Sequence, residues 1–207
     1  FYNRYYQDRH NEICSMLGDD EGYLWLTTFH RGILRSRTPF HSDEPLDFAP
    51  AGTSEVQQRH TVLSSTRDRE GDLWFGNADG TLTRYDARRK KFQIIKLTDG
   101  PTPVEGASVW SLLADSRGTI WAGTQAGLFG VDPATTISRQ IHFTDPEGKT
   151  LPAPYIRALA ETADHHLWLG TTTGLYRYDC QEERLETGYE KAAGISDPSI
   201  RSLHAAG

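Results

Sequence analysis

Sulfur is scarce in this sequence. It has two cysteines, Cys14 and Cys180, and one methionine in 207 residues. Two thiols are too few for a disulfide framework or a tetrahedral zinc site, and only a single Cys14–Cys180 bridge is left open by composition. A basic excess is also missing: 22 Lys+Arg face 28 Asp+Glu, for a net charge of -6. Nucleic-acid affinity comes largely from neutralising phosphates, so no nucleic-acid partner is expected. No apolar run approaches the roughly 18 residues of a membrane span, and no signal peptide is recognisable. No segment carries a capped apolar pattern of helical period, which argues against a helical fold. The chain starts at Phe1 and not at Met, so it is expected to be a piece of something longer.

What is present is repetition. Trp25, Trp74, Trp121 and Trp168 follow one another at intervals of 49, 47 and 47 residues. A β-branched residue stands twelve positions before each: Ile13, Val62, Val109 and Ile156. Leu24, Leu73, Ile120 or Leu167 immediately precedes the indole, and Thr27, Gly76, Gly123 or Gly170 follows two positions later. A periodicity of this length signals stacked supersecondary units.

Each unit reads as four short strands. "VWSLLAD" from Val109 is a compact apolar run, "SRG" supplies a turn, "TIWAGT" is a second strand, and "QAG" a second turn. "LFGVD" and "RQIHF" (Arg139 to Phe143) complete the set. A four-stranded antiparallel meander of this size is a β-propeller blade. The expected fold is therefore all-β, with full blades over 13–61, 62–108, 109–155 and 156–199. Residues 1–12 read as the outer strand of a preceding blade with its linker, and 200–207 as the start of a further one. With a neighbour on both faces, each sheet is nearly continuously apolar, and its tryptophan serves as packing between sheets.

The whole pattern, best expressed in "VWSLLADSRGTIWAGTQAGL" and "LWLGTTTGLYRYD", resembles the two-component regulator propeller repeat. The chain departs from it at "LTT" in the first repeat, at Asn77 in the second, and at Thr162 and His165 in the fourth. The resemblance implies a ligand-sensing, non-catalytic segment of a bacterial signalling receptor. Such a segment lies in the periplasm, ahead of a membrane helix and a cytoplasmic kinase, response-regulator or diguanylate cyclase output. It also implies a small-molecule ligand, with an oligosaccharide as first choice, no cofactor, and signalling through repacking within a homodimer. A protein-interaction scaffold and a carbohydrate-active hydrolase or lyase are the alternatives. WD repeats put aspartate after tryptophan, and the Asp-box has a different spacing, so neither fits as well.

Inter-blade linkers and second-to-third strand turns share one face of such a fold. His30, Arg31, Arg59, His60, Asn77, Asp79, Gln125 and Tyr155 fall there and vary between repeats, as a binding surface on a constant frame requires. His30-Arg31 beside Arg59-His60 is the most suggestive group, since two cationic pairs could grip an anionic or hydroxyl-rich ligand. Ordinary hairpin-tip polarity is the competing reading. Trp110 takes the place held elsewhere by Cys14, Leu63 and Arg157, either as a sugar-stacking platform or as filling for the channel. No catalytic motif is present. No metal site is expected either: His165-His166 sits in the turn before Trp168, and adjacent residues of extended chain point opposite ways and seldom chelate one ion together, while "DDEG" from Asp19 lacks the ligand spacing of a calcium loop. "ARRKK" from Ala87 reads as a solvated hairpin tip.

Overall fold

A computed structural model describes residues 12–41, 43–104, 106–144, 150–186, 189, 194 and 196–205. The expected outer strand at the start of the chain lies outside these residues. Each repeat folds as one four-stranded antiparallel sheet in simple chain order. Blade one holds β1 (Ile13–Gly18), β2 (Leu24–Thr28), β3 (Ile33–Ser36) and β4 (Phe48–Pro50). A one-turn helix, α1 (Ser54–Gln57), leads into blade two, built from β5 (Val62–Arg67), β6 (Leu73–Asn77), β7 (Thr81–Asp86) and β8 (Lys91–Lys96). A small hairpin of β9 (Thr98–Asp99) and β10 (Thr102–Pro103) precedes blade three, with β11 (Val109–Ala114), β12 (Ile120–Thr124), β13 (Gly127–Val131) and β14 (Ser138–Gln140). Blade four is β15 (Ile156–Glu161), β16 (His166–Thr171), β17 (Leu175–Asp179) and β18 (Arg184–Glu186).

The first strands of successive blades touch one another, β1 to β5, β5 to β11 and β11 to β15. They are therefore the innermost, and the sheets radiate from them as propeller blades. The core lies in the seams between sheets. In the first seam Trp25 and Ile33 meet Val62, Leu73, Phe75 and Tyr85 of the next blade. Trp74, Leu82, Ile95 and Leu97 meet Val109, Ile120, Phe129 and Val131 in the second. In the third, Trp121 and Leu128 meet Ile156, Leu167, Leu169 and Tyr178. Trp25, Trp74 and Trp121 thus sit on the trailing faces of their blades, while Trp168 is half-buried. Burying one indole in this way removes about 150–250 Å² from water.

The glycine two after the tryptophan is explained by the same seams. A Cβ on Gly76 would come within 2.7 Å of Val109 Cγ1, on Gly123 within 2.6 Å of Ile156 Cγ2, and on Gly170 within 2.7 Å of Ile200 Cγ2. The recurring β-branched residue of one blade therefore rests directly on the backbone of the blade before. Ile200 also donates its N–H to Thr171 O at 2.8 Å, so the chain past blade four begins the contact that each later blade makes.

A second lock joins turn and indole. Asp19, Asp68 and Asp115 stand six residues before their tryptophans, and one carboxylate oxygen of each accepts the indole N–H at 2.8, 2.8 and 2.7 Å. The other oxygen accepts turn backbone, from Tyr23 in blade one, Glu70 and Asp72 in blade two, and Arg117 and Thr119 in blade three. The third residue before each indole has positive φ: Gly22 at 84°, Gly71 at 88°, Gly118 at 95°, and His165 at 62°. Left-handed backbone is natural for glycine and costs a side-chain-bearing residue. Blade four departs at both positions, with Thr162 bonding Asp164 at 2.5 Å instead of clamping Trp168.

Two local features differ from the sequence-based expectation. Helix α1 is a single turn capped by Thr53, whose side chain accepts the Val56 N–H; one turn has no periodicity to read. Strand β14 stops at Gln140, because Ile141 and Phe143 leave the ladder to pack in the third seam. On the point that composition left open, Cys14 and Cys180 are both free thiols.

Candidate functional site

The innermost strand of every blade carries a β-bulge at its second residue. Register shifts across Cys14, Leu63, Trp110 and Arg157 in the ladders with the second strands. A bulge leaves one residue out of the pairing and re-aims it. The four blades therefore place four chemically different side chains at one position near the axis: a thiol, an alkyl group, an indole and a guanidinium.

Two of these meet. Arg157 Cζ lies 4.9 Å from the centroid of Trp110 and 5.7 Å from that of Tyr155, and the two rings are 5.9 Å apart. The Trp110 Nε1–H is buried with no hydrogen-bond partner. All three side chains are partly exposed. The result is a cationic, aromatic cluster spanning the inner strands of blades three and four. Flat aromatic faces and a guanidinium fork suit the apolar faces and hydroxyl edges of a sugar ring. Trp110 and Tyr155 were expected at the site. Arg157 was not, although its occupation of the Trp110 position in the next repeat was the available signal.

The other candidates divide. His30-Arg31 and Arg59-His60 do lie together, since Gly32 N–H donates to His60 O at 2.8 Å. A Cβ on Gly32, whose φ is 66°, would meet Arg59 O at 3.0 Å. His30 packs edge-on against Phe29, and Arg31 is exposed. The Arg59 guanidinium, however, braces the neighbouring turn: it bonds Thr81 Oγ1 at 3.2 Å, Asp79 at 3.3 Å and Glu55 O at 3.0 Å. Asp79 is further held by the N–H and hydroxyl of Thr81. Gln125 is exposed.

Asn77 needs correcting, because it is fully buried. Its amide donates to Thr81 and Thr83, each at 3.0 Å. It takes the place of Thr28, Thr124 and Thr171, whose hydroxyls tie the same turn by donating to Gly32, Gly127 and Gly174 carbonyls. Its surroundings are those of a turn anchor, not of a surface contact.

The remaining polar motifs are spent on structure. Lys90 of "ARRKK" reaches Glu21 of blade one at 2.8 Å, and Arg89 pairs with Asp86 at 3.0 Å. His166 lies between Asp164 and Asp179, at 3.0 and 3.3 Å. No group of three or more His, Cys, Asp or Glu side chains arranged to hold a metal ion is present among the described residues. Ser116, Glu161 and His165 form a cluster across the third seam that has the composition of a hydrolytic triad. Its geometry differs: Ser116 Oγ and Glu161 Oε1 both face His165 Nδ1, at 2.7 and 3.4 Å, and the serine also bonds Glu161 at 2.5 Å. A working triad puts serine and carboxylate at opposite imidazole nitrogens.

With this geometry in hand, the comparisons with known proteins are specific. Residues 103–126 and 150–173, which hold the first two strands of the third and fourth repeats, match the family profile of the two component regulator propeller. The whole chain is similar to the extracellular domain of a hybrid two component system of B. thetaiotaomicron, with 27% identity and a TM-score of 0.70 over 95% of this chain and 24% of that one. It therefore spans about a quarter of that structure. A second such domain from the same organism matches at 22% identity and a TM-score of 0.62, over 93% of this chain and 30% of the other. The virginiamycin B lyase of Staphylococcus aureus shares the fold alone, at 14% identity and a TM-score of 0.67, covering 95% of this chain and 60% of the enzyme. No curated protein matches. No helix among the described residues is long and apolar enough to cross a membrane.

Proposed function

We propose that this chain is a non-catalytic, ligand-sensing part of the propeller of a bacterial two-component-type receptor, lying in the periplasm. The observation that carries this is the pair of matched regulator-propeller repeats, whose inner strands join in the Trp110, Tyr155 and Arg157 cluster. The ligand class that fits the cluster best is an oligosaccharide, stacked on the aromatic rings with its hydroxyls or an acidic substituent on Arg157. The receptor would carry further blades. Ile13 on the leading face of blade one is 61% exposed, whereas the corresponding Val62, Val109 and Ile156 are fully buried. Binding would act by favouring one packing arrangement of the receptor over another, which requires different ligand affinity in the two states. The hydrolase reading is weakened by the arrangement of Ser116, Glu161 and His165, which is not that of a working triad.

The test is a panel of neutral and acidic oligosaccharides titrated calorimetrically against the chain and against the Trp110→Ala and Arg157→Ala variants. Saturable binding to the chain, reduced about tenfold or more in both variants, is the expected result. Binding that survives both substitutions would remove the cluster as the site. Turnover of any glycan by the purified chain, absent when the chain is left out, would remove the non-catalytic reading.

A further inference from the structure

On the trailing face of each blade, one residue of the third strand lies directly across the ladder from the tryptophan. It is Arg35 opposite Trp25, Arg84 opposite Trp74 and Arg177 opposite Trp168, but Gly130 opposite Trp121. The three arginines repeat one kind of packing, between aromatic rings and carboxylates. Arg35 Cζ sits 3.6 Å from the Tyr23 centroid and 5.4 Å from that of Trp25, with Glu21 at 3.4 Å. Arg84 lies 5.2 Å from the Trp74 ring, pairs with Asp72 at 2.6 Å, and donates across the seam to Pro133 O at 2.6 Å. Arg177 pairs with Glu186 at 2.7 Å and lies 5.9 Å from the ring of Tyr189, which packs edge-on against Trp168.

In blade three the place of that side chain borders a cavity of about 400 Å³, walled by Trp121, Gly130, Thr119, Ser138 and Thr135, with Asp132 and Arg139 beside them. A Cβ on Gly130 would lie 3.2 Å from the indole edge, so glycine keeps this wall clear. The Asp132 carboxylate accepts the Ala134 N–H at 2.8 Å and the Thr135 hydroxyl at 3.0 Å. Those bonds, the backbone one first, hold it below the ordinary carboxylate range. Arg139 is committed to Glu183 at 2.8 Å. Together these three charged groups leave one net negative charge at the cavity.

We propose that this cavity is a socket for an alkylguanidinium group, the head of an arginine side chain, held against Trp121 and Asp132 at the position where the other blades carry their own arginines. The chain itself supplies the template, since three of four equivalent positions are filled by the group that the fourth lacks. A guanidinium combines the flat face that an aromatic wall accepts with the forked donors that a carboxylate accepts. Its source is either a free guanidino compound or an arginine presented by a partner protein.

Ethylguanidinium is the probe, titrated into the chain with the Trp121 indole N–H followed by NMR. A saturable shift is expected, absent in Gly130→Arg, where the chain fills its own socket, and about tenfold weaker in Asp132→Asn. Ethylammonium should bind more weakly than ethylguanidinium. No saturable shift in the unsubstituted chain, an undiminished shift in folded Gly130→Arg, or equal binding of ethylammonium would each overturn the proposal. Asp132→Asn gives a second reading should Gly130→Arg fail to fold, and its full retention of binding would also count against the socket. Tighter binding of an arginine tripeptide than of free arginine would identify a partner's side chain as the source, and the reverse a free compound. The oligosaccharide panel probes the axial cluster separately, so either proposal can fail alone.

Discussion

Asp68 holds Trp74 by the indole N–H at 2.8 Å and, with its other oxygen, holds the backbone of Glu70 and Asp72. One carboxylate thus fixes a turn and the largest side chain of the seam at once. Replacing it with alanine leaves a buried indole donor and two turn amides without their acceptor. Asp68→Ala should cost about 2–3 kcal/mol, and Asp68→Asn less, because one carbonyl acceptor remains. Denaturant unfolding followed by tryptophan fluorescence measures both; equal losses would show that the one acceptor kept in Asp68→Asn contributes nothing by itself.

The close approach at Gly123 gives an opposite kind of test, in which an atom is added. A methyl group there would meet Ile156 Cγ2 at 2.6 Å and also the Ser111 hydroxyl. Neither is a flexible chain end, so the third seam must open. Gly123→Ala should destabilise by about 1–3 kcal/mol. A melting temperature equal to that of the unsubstituted chain would mean that the seam is more compliant than this packing implies.

Blade four lacks the clamp, which makes it a site for gain. Thr162→Asp restores the carboxylate six residues before Trp168 and should add about 1 kcal/mol. The direct readout is hydrogen exchange of the Trp168 indole N–H, which should slow. Unchanged exchange would show that His165, in the glycine position of the turn, holds the loop in a shape the aspartate cannot use.

Burial pushes the Cys180 thiol up to about 11, with the Asp115 charge adding to it. In the unfolded chain it ionises near 9.0. Its contribution to stability is therefore complete below that value and is lost as pH rises toward 11. At pH 8 the thiol should be alkylated by iodoacetamide much more slowly in the folded chain than in denaturant. Mass spectrometry of the modified peptide decides this, and equal rates would contradict the burial.

The spacing of tryptophan, glycine and β-branched residues made the blades legible, because each of these must recur wherever one sheet packs on the next. The clamp was harder to read. Asp68 and Trp74 stood at a fixed offset, but a turn residue and a packing residue each have a sufficient explanation alone; only the hairpin geometry joins them. Asn77 was misread for a related reason, since its amide can replace a threonine hydroxyl in tying a turn. Arg157 acquires its place only from the bulge that sets it beside Trp110. Gly130 looked like an ordinary strand residue until the arginines across from Trp25, Trp74 and Trp168 were seen to share its position.

The seating of a branched side chain on the glycine of the previous sheet has a consequence for how such chains change over time. Every joint takes its two halves from neighbouring repeats in the same orientation, so Val109 on Gly76 and Ile156 on Gly123 are interchangeable fittings. A duplication or deletion of one whole repeat alters how many joints the ring has and leaves each joint's chemistry intact. Ring size can then drift while the bulge residues at the hub diversify independently.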